Sequence, residues 1–238
     1  MNKILIIAFL ILSFLKLSAG GNDLFFKNAD DFFHHHVKYG NVNYSALKTN
    51  STQLNSLVDQ IRTATLPEDK NERKALYINA YNILVISATV SNYPVQSVMD
   101  IPGFFNEKKH IVAGKSLTLD QLEKQVLMKE FDDARLHFIL VCAARSCPTL
   151  PSYAYMPETV ESQIQSGTIK TLNDVRFIKT DPTGKQVNVS KIFDWYNTDF
   201  VKNGKTVLSY LNQFRENKIP STWKVGFYEY DWRLNDLK

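Results

Sequence analysis

The chain has 238 residues, 44% of them hydrophobic and 22% charged, and its formal net charge is +4. A chain of this length can form one domain with a substantial core. Basic and acidic residues are interspersed, without a long run of one sign. The charge pattern therefore argues against nucleic acid or an anionic membrane as the partner.

Residues 1–20 predict a secretory signal peptide. Lys3 gives a basic start, residues 4–15 form an apolar run, and residues 18–20 are small, as a signal peptidase requires. The run is short for a membrane span and Lys16 interrupts it. We expect a secreted or periplasmic protein with no stable membrane anchor after cleavage. Cleavage would remove two of the 28 basic residues and none of the 24 acidic ones, which leaves a net charge of +2.

Residues 21–238 are predicted to form a single domain that begins with long helices and continues with short strands. Apolar residues at helical spacing predict the helices. These are residues 22–38, 51–63, 68–90, a segment after Thr118, one or two helices within 157–175, a short piece after Ser190, and 207–214. Turn signals predict a hairpin within 108–118, pairing of 177–178 with 187–189, and a final strand at 223–230. This order predicts an α+β fold, with helices around a buried central helix and a small, mainly antiparallel sheet.

The predicted central helix, residues 68–90, carries two amides on an otherwise apolar surface. Asn79 and Asn82 are three residues apart and so share a face. A buried amide without a partner costs roughly 1–3 kcal/mol, so both side chains should be hydrogen-bonded. They either hold a neighbouring loop, as buried polar networks often do, or line a pocket that binds a substrate.

The helix after Thr118 is predicted to start with a reciprocal cap between Thr118 and Gln121. Its buried stripe includes Leu122, and Glu123 lies beside that stripe. Glu123 is either a solvated flank of the helix or a carboxylate that reaches a site.

Residues 135–148 concentrate the chemistry of the chain. The apolar run 138–141 predicts a buried strand, followed by a turn at 143–146. Both cysteines of the chain, Cys142 and Cys147, lie in this stretch, together with His137 and Arg145. Because sites are commonly built where strands open into loops, we expect the functional site here.

Several motifs in order resemble the DUF547 family, a group of uncharacterised domains. They are an Asn-x-Tyr-Asn helix at 79–82, a segment at 117–123, the strand and turn at 135–148, and aromatic segments at 192–196 and 230–232. The resemblance spans nearly all of residues 21–238 and implies a fold and a site, here in a bacterial secreted member. Many relatives have a tryptophan at Tyr77 and a histidine at Lys124. The resemblance implies no particular reaction.

One hypothesis is a thiol-dependent hydrolase or acyl transferase. Cys147 would be the nucleophile, since it lies in the turn beside Arg145, which favours a thiolate. His137 or His110 would be the base, oriented by Glu123 or by one of the amides Asn79 and Asn82. On a straight strand His137 would lie some 15 Å from the turn, at about 3.3 Å per residue, whereas His110 has no such handicap.

The alternative is a binding or scaffold module with a structural disulfide between Cys142 and Cys147. An exported chain with two nearby cysteines tends to close such a bond. The pocket would then be lined by Arg145, Ser146 and the two amides, and would take an unknown small molecule or peptide.

We predict no cofactor and no metal site. The consecutive histidines at 34–36 point about 100° apart on a helix and cannot bind one ion together. His110, His137 and Glu123 would form a ligand set only if the fold assembled them. The three tryptophans, Trp195, Trp223 and Trp232, are expected in the core. The alternative is a ligand platform, which their spacing does not indicate.

Overall fold

The computed structural model describes residues 21–237. The predicted signal peptide, residues 1–20, lies outside the described residues. Within the described chain, every helix is too short or too polar to cross a membrane.

Helices make up about half of the described chain. They are α1 (Asp23–His36), α2 (Tyr44–Thr49), α3 (Thr52–Thr63), α4 (Lys70–Asn92), a π-helix (Gln121–Met128) that continues into α5 (Lys129–Phe131), α6 (Val160–Asn173), α7 (Ile192–Trp195), α8 (Asn197–Phe200) and α9 (Val207–Phe214). Short 3-10 helices are Val98–Asp100, Ala134–Phe138 and Lys202–Gly204. Helices α1, α3, α4 and α9 begin and end within two residues of the prediction, which confirms these four segments.

Helix α4 is the buried centre that the apolar pattern predicts. Its first turn is capped by Asp69, whose side chain accepts hydrogen bonds from the backbone N–H groups of Asn71 and Glu72. Almost every side chain from Lys74 to Val90 is buried. Helices α2 and α3, the π-helix and α6 all contact α4.

The strands are short. They are β1 (Val37–Lys38), β2 (Asn41–Val42), β3 (His110–Val112), β4 (Lys115–Leu117), β5 (Ile178–Asp181), β6 (Gln186–Val189) and β7 (Lys224–Phe227). Strands β1–β2, β3–β4 and β5–β6 pair antiparallel, and β7 runs parallel to β6 with Val187 opposite Val225. Both predicted hairpins and the α+β class with small, mostly antiparallel sheets are thereby confirmed.

The prediction of a strand over residues 138–141 is wrong. The chain forms the 3-10 helix Ala134–Phe138, whose start is capped by Asp133 accepting from the backbone N–H of Arg135. Residues 139–141 continue from this helix without forming a strand. Consecutive buried apolar residues are typical of a covered strand, but periodicity alone does not distinguish such a strand from a buried segment without strand pairing. Here the apolar run is buried because it passes between two hydrophobic cores.

These two cores meet at the 3-10 helix. The larger core surrounds α4 and includes Leu136 and Ile139, whereas Phe138 belongs to a smaller core built on β5, β6, α7, α8 and α9. His137 lies between these residues and is only 4% exposed. The 3-10 helix therefore places successive side chains in different cores, and the neighbours of His137 on either side, Leu136 and Phe138, anchor it in both.

The C-terminal segment is tied to the cysteine loop. The Ser146 hydroxyl accepts from the backbone N–H of Asp231 (2.8 Å), and the backbone N–H of Arg145 donates to the carbonyl of Arg233 (2.8 Å). These bonds place the aromatic side chains of Tyr230 and Trp232 beside the loop.

Candidate functional site

A cleft of about 630 Å³ lies between the π-helix, the 139–142 segment, α7 and the C-terminal segment. We call it the aromatic cleft. Its lining includes Tyr81, Glu123, His137, Cys142, Trp195 and Trp232.

Glu123 supplies a buried carboxylate to this cleft. The predicted reciprocal cap is confirmed. The Thr118 hydroxyl accepts a hydrogen bond from the backbone N–H of Gln121 (3.1 Å), and the side-chain oxygen of Gln121 accepts one from the backbone N–H of Thr118 (3.0 Å). This cap sets the start of the π-helix, a geometry often found at functional sites. Glu123 is 7% exposed and accepts a hydrogen bond from the Tyr81 hydroxyl at 3.1 Å. It is therefore a cleft residue rather than a solvated flank.

Two tyrosines stay protonated next to Glu123. Burial, followed by the negative charge of Glu123, raises the pKa of Tyr81 and of Tyr196 well above the usual range. The phenol groups consequently act as hydrogen-bond donors at neutral pH. Neither phenol carries a positive charge that would neutralise the Glu123 carboxylate.

His137 forms a pair with Asp199, a residue that the sequence did not single out. Its Nε2 lies 2.9 Å from Asp199 Oδ2, and its ring centroid lies 4.0 Å from that of Tyr196. The hydrogen bond to His137 lowers the pKa of Asp199. Asp199 also lies 3.6 Å from the ammonium group of Lys202, so its carboxylate has a polar partner on each side. His137 is held in one orientation in the lining of the cleft.

Three aromatic rings form one wall of the cleft. The Trp195 and Trp232 rings stack at 5.7 Å between centroids and 24° between planes, and Tyr230 lies 4.9 and 4.7 Å from them. Trp195 is 48% exposed, so the prediction that it belongs to the core is wrong. The sequence carries a signal for this wall, since Asp194 and Asp231 are each flanked by tryptophan and tyrosine within two residues.

Cys142 and Cys147 form a disulfide, which confirms the predicted pairing of the two cysteines. They are the only cysteines of the chain, so the described protein has no free thiol. Cys142 lines the aromatic cleft, whereas Cys147 lines a second, more polar cleft of about 620 Å³. The predicted nucleophile Cys147 thus lacks the free sulfur that thiol catalysis requires.

The amides Asn79 and Asn82 both hold backbone segments against α4. Asn79 donates to the carbonyl of Tyr155 (2.7 Å) and accepts from its N–H (2.9 Å). Asn82 donates to the carbonyl of Ile139 (3.2 Å) and accepts from the N–H of Val141 (2.9 Å). The expected hydrogen bonding is confirmed, and the loop does reach the amide-bearing face of α4. The side-chain amides of both residues are hydrogen-bonded to the backbone segments that pack on α4, and neither side chain lines the aromatic cleft.

Arg145 and Ser146 lie in the second cleft with Cys147. Arg145 is exposed, whereas Ser146 uses its hydroxyl to anchor Asp231. The structure thus separates these two residues from Glu123 and His137, with the disulfide between the two groups.

His110 lies on β3, outside the lining of the aromatic cleft. Its Nε2 is buried without a hydrogen-bond partner among residues 21–237. Burial, together with the positive charge of Lys108, lowers its pKa to about 4. The described part of the chain contains no group of three histidine, cysteine, aspartate or glutamate side chains that could hold a metal ion. The ligand set of His110, His137 and Glu123 is therefore not assembled.

The comparisons with known proteins give one match. Residues 66–170 match the model of a family described as a protein of unknown function, DUF547. Neither the curated proteins nor the solved structures provide a match to this chain. The matched segment includes α4, the π-helix and the cysteine loop, and so supplies Tyr81, Glu123, His137 and Cys142 to the cleft. The chain therefore contains, at residues 66–170, a domain of the DUF547 family.

Proposed function

We propose that this protein is a secreted or periplasmic binding module that takes a small molecule or a peptide in the aromatic cleft. The observation that carries the proposal is the stacked wall of Trp195, Tyr230 and Trp232 beside the buried carboxylate of Glu123. The closed disulfide supports a structural role for Cys142 and Cys147. The signal-peptide pattern of residues 1–20 supports export to a compartment where such a bond persists.

The aromatic wall favours a ligand with a flat or apolar face. Exposed tryptophan and tyrosine rings offer large contact areas and give up little conformational freedom on binding. Ring-to-ring contacts contribute roughly 0.5–1.5 kcal/mol beyond the area that they bury. The stacking between Trp195 and Trp232 holds the platform in place before a ligand arrives, which reduces the entropy cost of binding.

The charge of the cleft favours a cationic group on that ligand. Among its lining residues Lys124 pairs with Asp120 at 3.0 Å, which leaves Glu123 as the carboxylate without a cationic partner. Aromatic rings attract cations through their negative faces, and the attraction grows when the cation is desolvated. An amine or guanidinium group fits both features.

The proposal can be tested by ¹⁹F NMR of protein labelled with 5-fluorotryptophan. The chain has three tryptophans, and Trp223 packs against the smaller core away from the cleft, so its resonance is an internal control. The probes are the matched peptides Gly-Tyr-Lys-Tyr-Gly and Gly-Tyr-Glu-Tyr-Gly. We expect the lysine peptide to shift the resonances of Trp195 and Trp232 while that of Trp223 stays in place.

Matched variants separate the cleft charge from the overall charge. Glu123→Gln should weaken binding of the lysine peptide about tenfold, because it removes one charge-assisted contact. Glu158→Gln removes an exposed carboxylate elsewhere and should leave binding unchanged. Equal shifts with both peptides, or no shift at millimolar concentration, would contradict the proposal.

A thiol-dependent hydrolase or acyl transferase is the second candidate. The observation that favours it is that Cys142, His137 and Glu123 line the same cleft. This activity requires a reduced sulfur. It predicts hydrolysis of p-nitrophenyl acetate that appears only after reduction with dithiothreitol and is lost in Cys142→Ser. Without turnover above that of the Cys142→Ser protein, this candidate is excluded for that ester.

A further inference from the structure

The sulfur of Cys147 lies in a cluster of hydrogen-bond donors. It accepts from the backbone N–H of Cys142 (3.1 Å), from the backbone N–H of Ala144 (3.4 Å) and from the hydroxyl of Tyr230 (3.3 Å). The Tyr230 hydroxyl also lies 3.2 Å from the sulfur of Cys142. Three donors therefore converge on one sulfur of the bond.

The backbone adopts an uncommon conformation to build this cluster. Ala143 has a φ of +63°, in the left-handed region that residues other than glycine rarely adopt. Its position between the two donating N–H groups lets both turn toward the same atom, as in anion-binding backbone nests. A neutral disulfide sulfur is only a weak acceptor, so the arrangement suits a thiolate better than the resting bond.

The two sulfurs belong to different clefts. Cys142 lines the aromatic cleft, and Cys147 lines the second cleft together with the exposed Arg145. A nucleophile in the aromatic cleft therefore meets Cys142, with Cys147 as the leaving sulfur on the far side. Thiol–disulfide exchange is faster when the leaving thiolate is stabilised.

We propose that the Cys142–Cys147 bond undergoes thiol–disulfide exchange with a thiol that enters the aromatic cleft. The incoming thiolate attacks the sulfur of Cys142 and forms a mixed disulfide. The bond between the two cysteines breaks, and its electron pair leaves with Cys147 as a thiolate held by the three donors. A second thiolate then attacks the ligand sulfur of the mixed disulfide and releases the Cys142 thiolate. Overall two ligand thiols are oxidised to a disulfide and the protein disulfide is reduced.

The ligand is a thiol, carried either by a small molecule or by a cysteinyl peptide. The inference goes beyond the proposed binding function, because the exchange needs only an open cleft and not a cationic ligand. Tyr230 acts in it as the donor to the leaving sulfur. Its ring would stay in the aromatic wall in Tyr230→Phe, so this variant removes the donor alone.

The test uses the wild-type chain without its signal segment. The protein is mixed with glutathione or with Gly-Tyr-Cys-Tyr-Gly, the reaction is stopped early with iodoacetamide, and the products are mapped by mass spectrometry. We expect the added thiol on Cys142 and the alkyl group on Cys147. Faster reaction of the pentapeptide identifies peptides as the source of the thiol, and equal rates identify small thiols. The added thiol on Cys147, or an unopened disulfide, would overturn the proposal.

Variants test the donor cluster separately. Tyr230→Phe should slow the opening roughly three- to tenfold, as expected for one hydrogen bond to a developing charge. Tyr228→Phe is the matched control, since the hydrogen bonds to the two sulfurs among the described residues come from Tyr230 and not from this near neighbour in sequence, and its rate should equal that of the wild type. In Cys142→Ser, half of the Cys147 thiolate absorbance at 240 nm should appear below about pH 8.5, the ordinary value for cysteine. Equal opening rates in the two tyrosine variants would refute the role of Tyr230.

Discussion

Asn82 connects the buried helix α4 to the segment that carries the cysteine loop, and its replacement gives the sharpest stability prediction. In Asn82→Leu the side chain keeps a similar volume but loses its donor and its acceptor. The carbonyl of Ile139 and the N–H of Val141 would then be left unpaired, and both residues are at most 3% exposed. A buried group without a partner costs about 1–3 kcal/mol. Two such groups lower the free energy of unfolding by roughly 2–6 kcal/mol, a large part of a typical total of about 5–15 kcal/mol.

The assay is urea unfolding followed by circular dichroism, with the variant compared with the wild type at equal pH. Asn92→Leu is the matched control, because Asn92 is an exposed residue at the end of the same helix. Its replacement should change the free energy of unfolding by less than about 1 kcal/mol. If Asn82→Leu were no more destabilising than Asn92→Leu, the view that Asn82 secures the 139–141 segment would be refuted.

Two further predictions concern the dependence of stability on pH. The pKa of His110 is lowered from 6.5 to about 4 in the folded protein, so the unfolded chain binds the proton first and the free energy of unfolding falls as the pH drops from 6.5 to 4. The loss should be roughly 1–2 kcal/mol, allowing for the partial exposure of the ring, and it should disappear in His110→Leu but not in His34→Leu. The pKa of Asp199 is lowered by its histidine partner, so its contribution is present above the unfolded value of about 4 and is lost as the pH falls through the lower folded value. In Asp199→Asn the free energy of unfolding should therefore fall less steeply with decreasing pH than in the wild type. Asp194→Asn, at an exposed position, should keep the wild-type slope. A wild-type slope in Asp199→Asn would contradict this prediction.

The elements with strong local signals could be predicted from the sequence. The cap at the start of α4, its apolar surface and the turn between β3 and β4 all act over a few residues, so the sequence contains the information that determines them. The reciprocal cap of Thr118 and Gln121 belongs to the same class. It also brought Glu123 into consideration, although the sequence could not decide between a solvated flank and a cleft residue.

The 135–141 segment could not be predicted because its burial has a tertiary cause. Its apolar residues are divided between two cores, which produces the unbroken run of a covered strand without any strand pairing. Its backbone is satisfied in part by the side chain of Asn82, a partner distant in sequence.

The sequence does not predict the aromatic wall or the partner of His137, for a related reason. Trp195 and Trp232 meet only when the C-terminal segment folds back onto α7, and Asp199 lies far along the chain from His137. Composition favours a core position for tryptophan, and the aromatic residues clustered near Asp194 and Asp231 do not by themselves distinguish a core from an exposed wall. For the cysteines the sequence left two readings open, and the disulfide follows from the loop geometry.

A count of thiols in the protein tests the central claim most directly. Cells that express the full chain are quenched with acid, the protein is alkylated under denaturing conditions without reductant, and its intact mass is measured. A resting disulfide between Cys142 and Cys147 predicts no added alkyl group before reduction and two after it. Two alkyl groups on the unreduced protein would contradict the binding module with a disulfide and would favour a thiol enzyme.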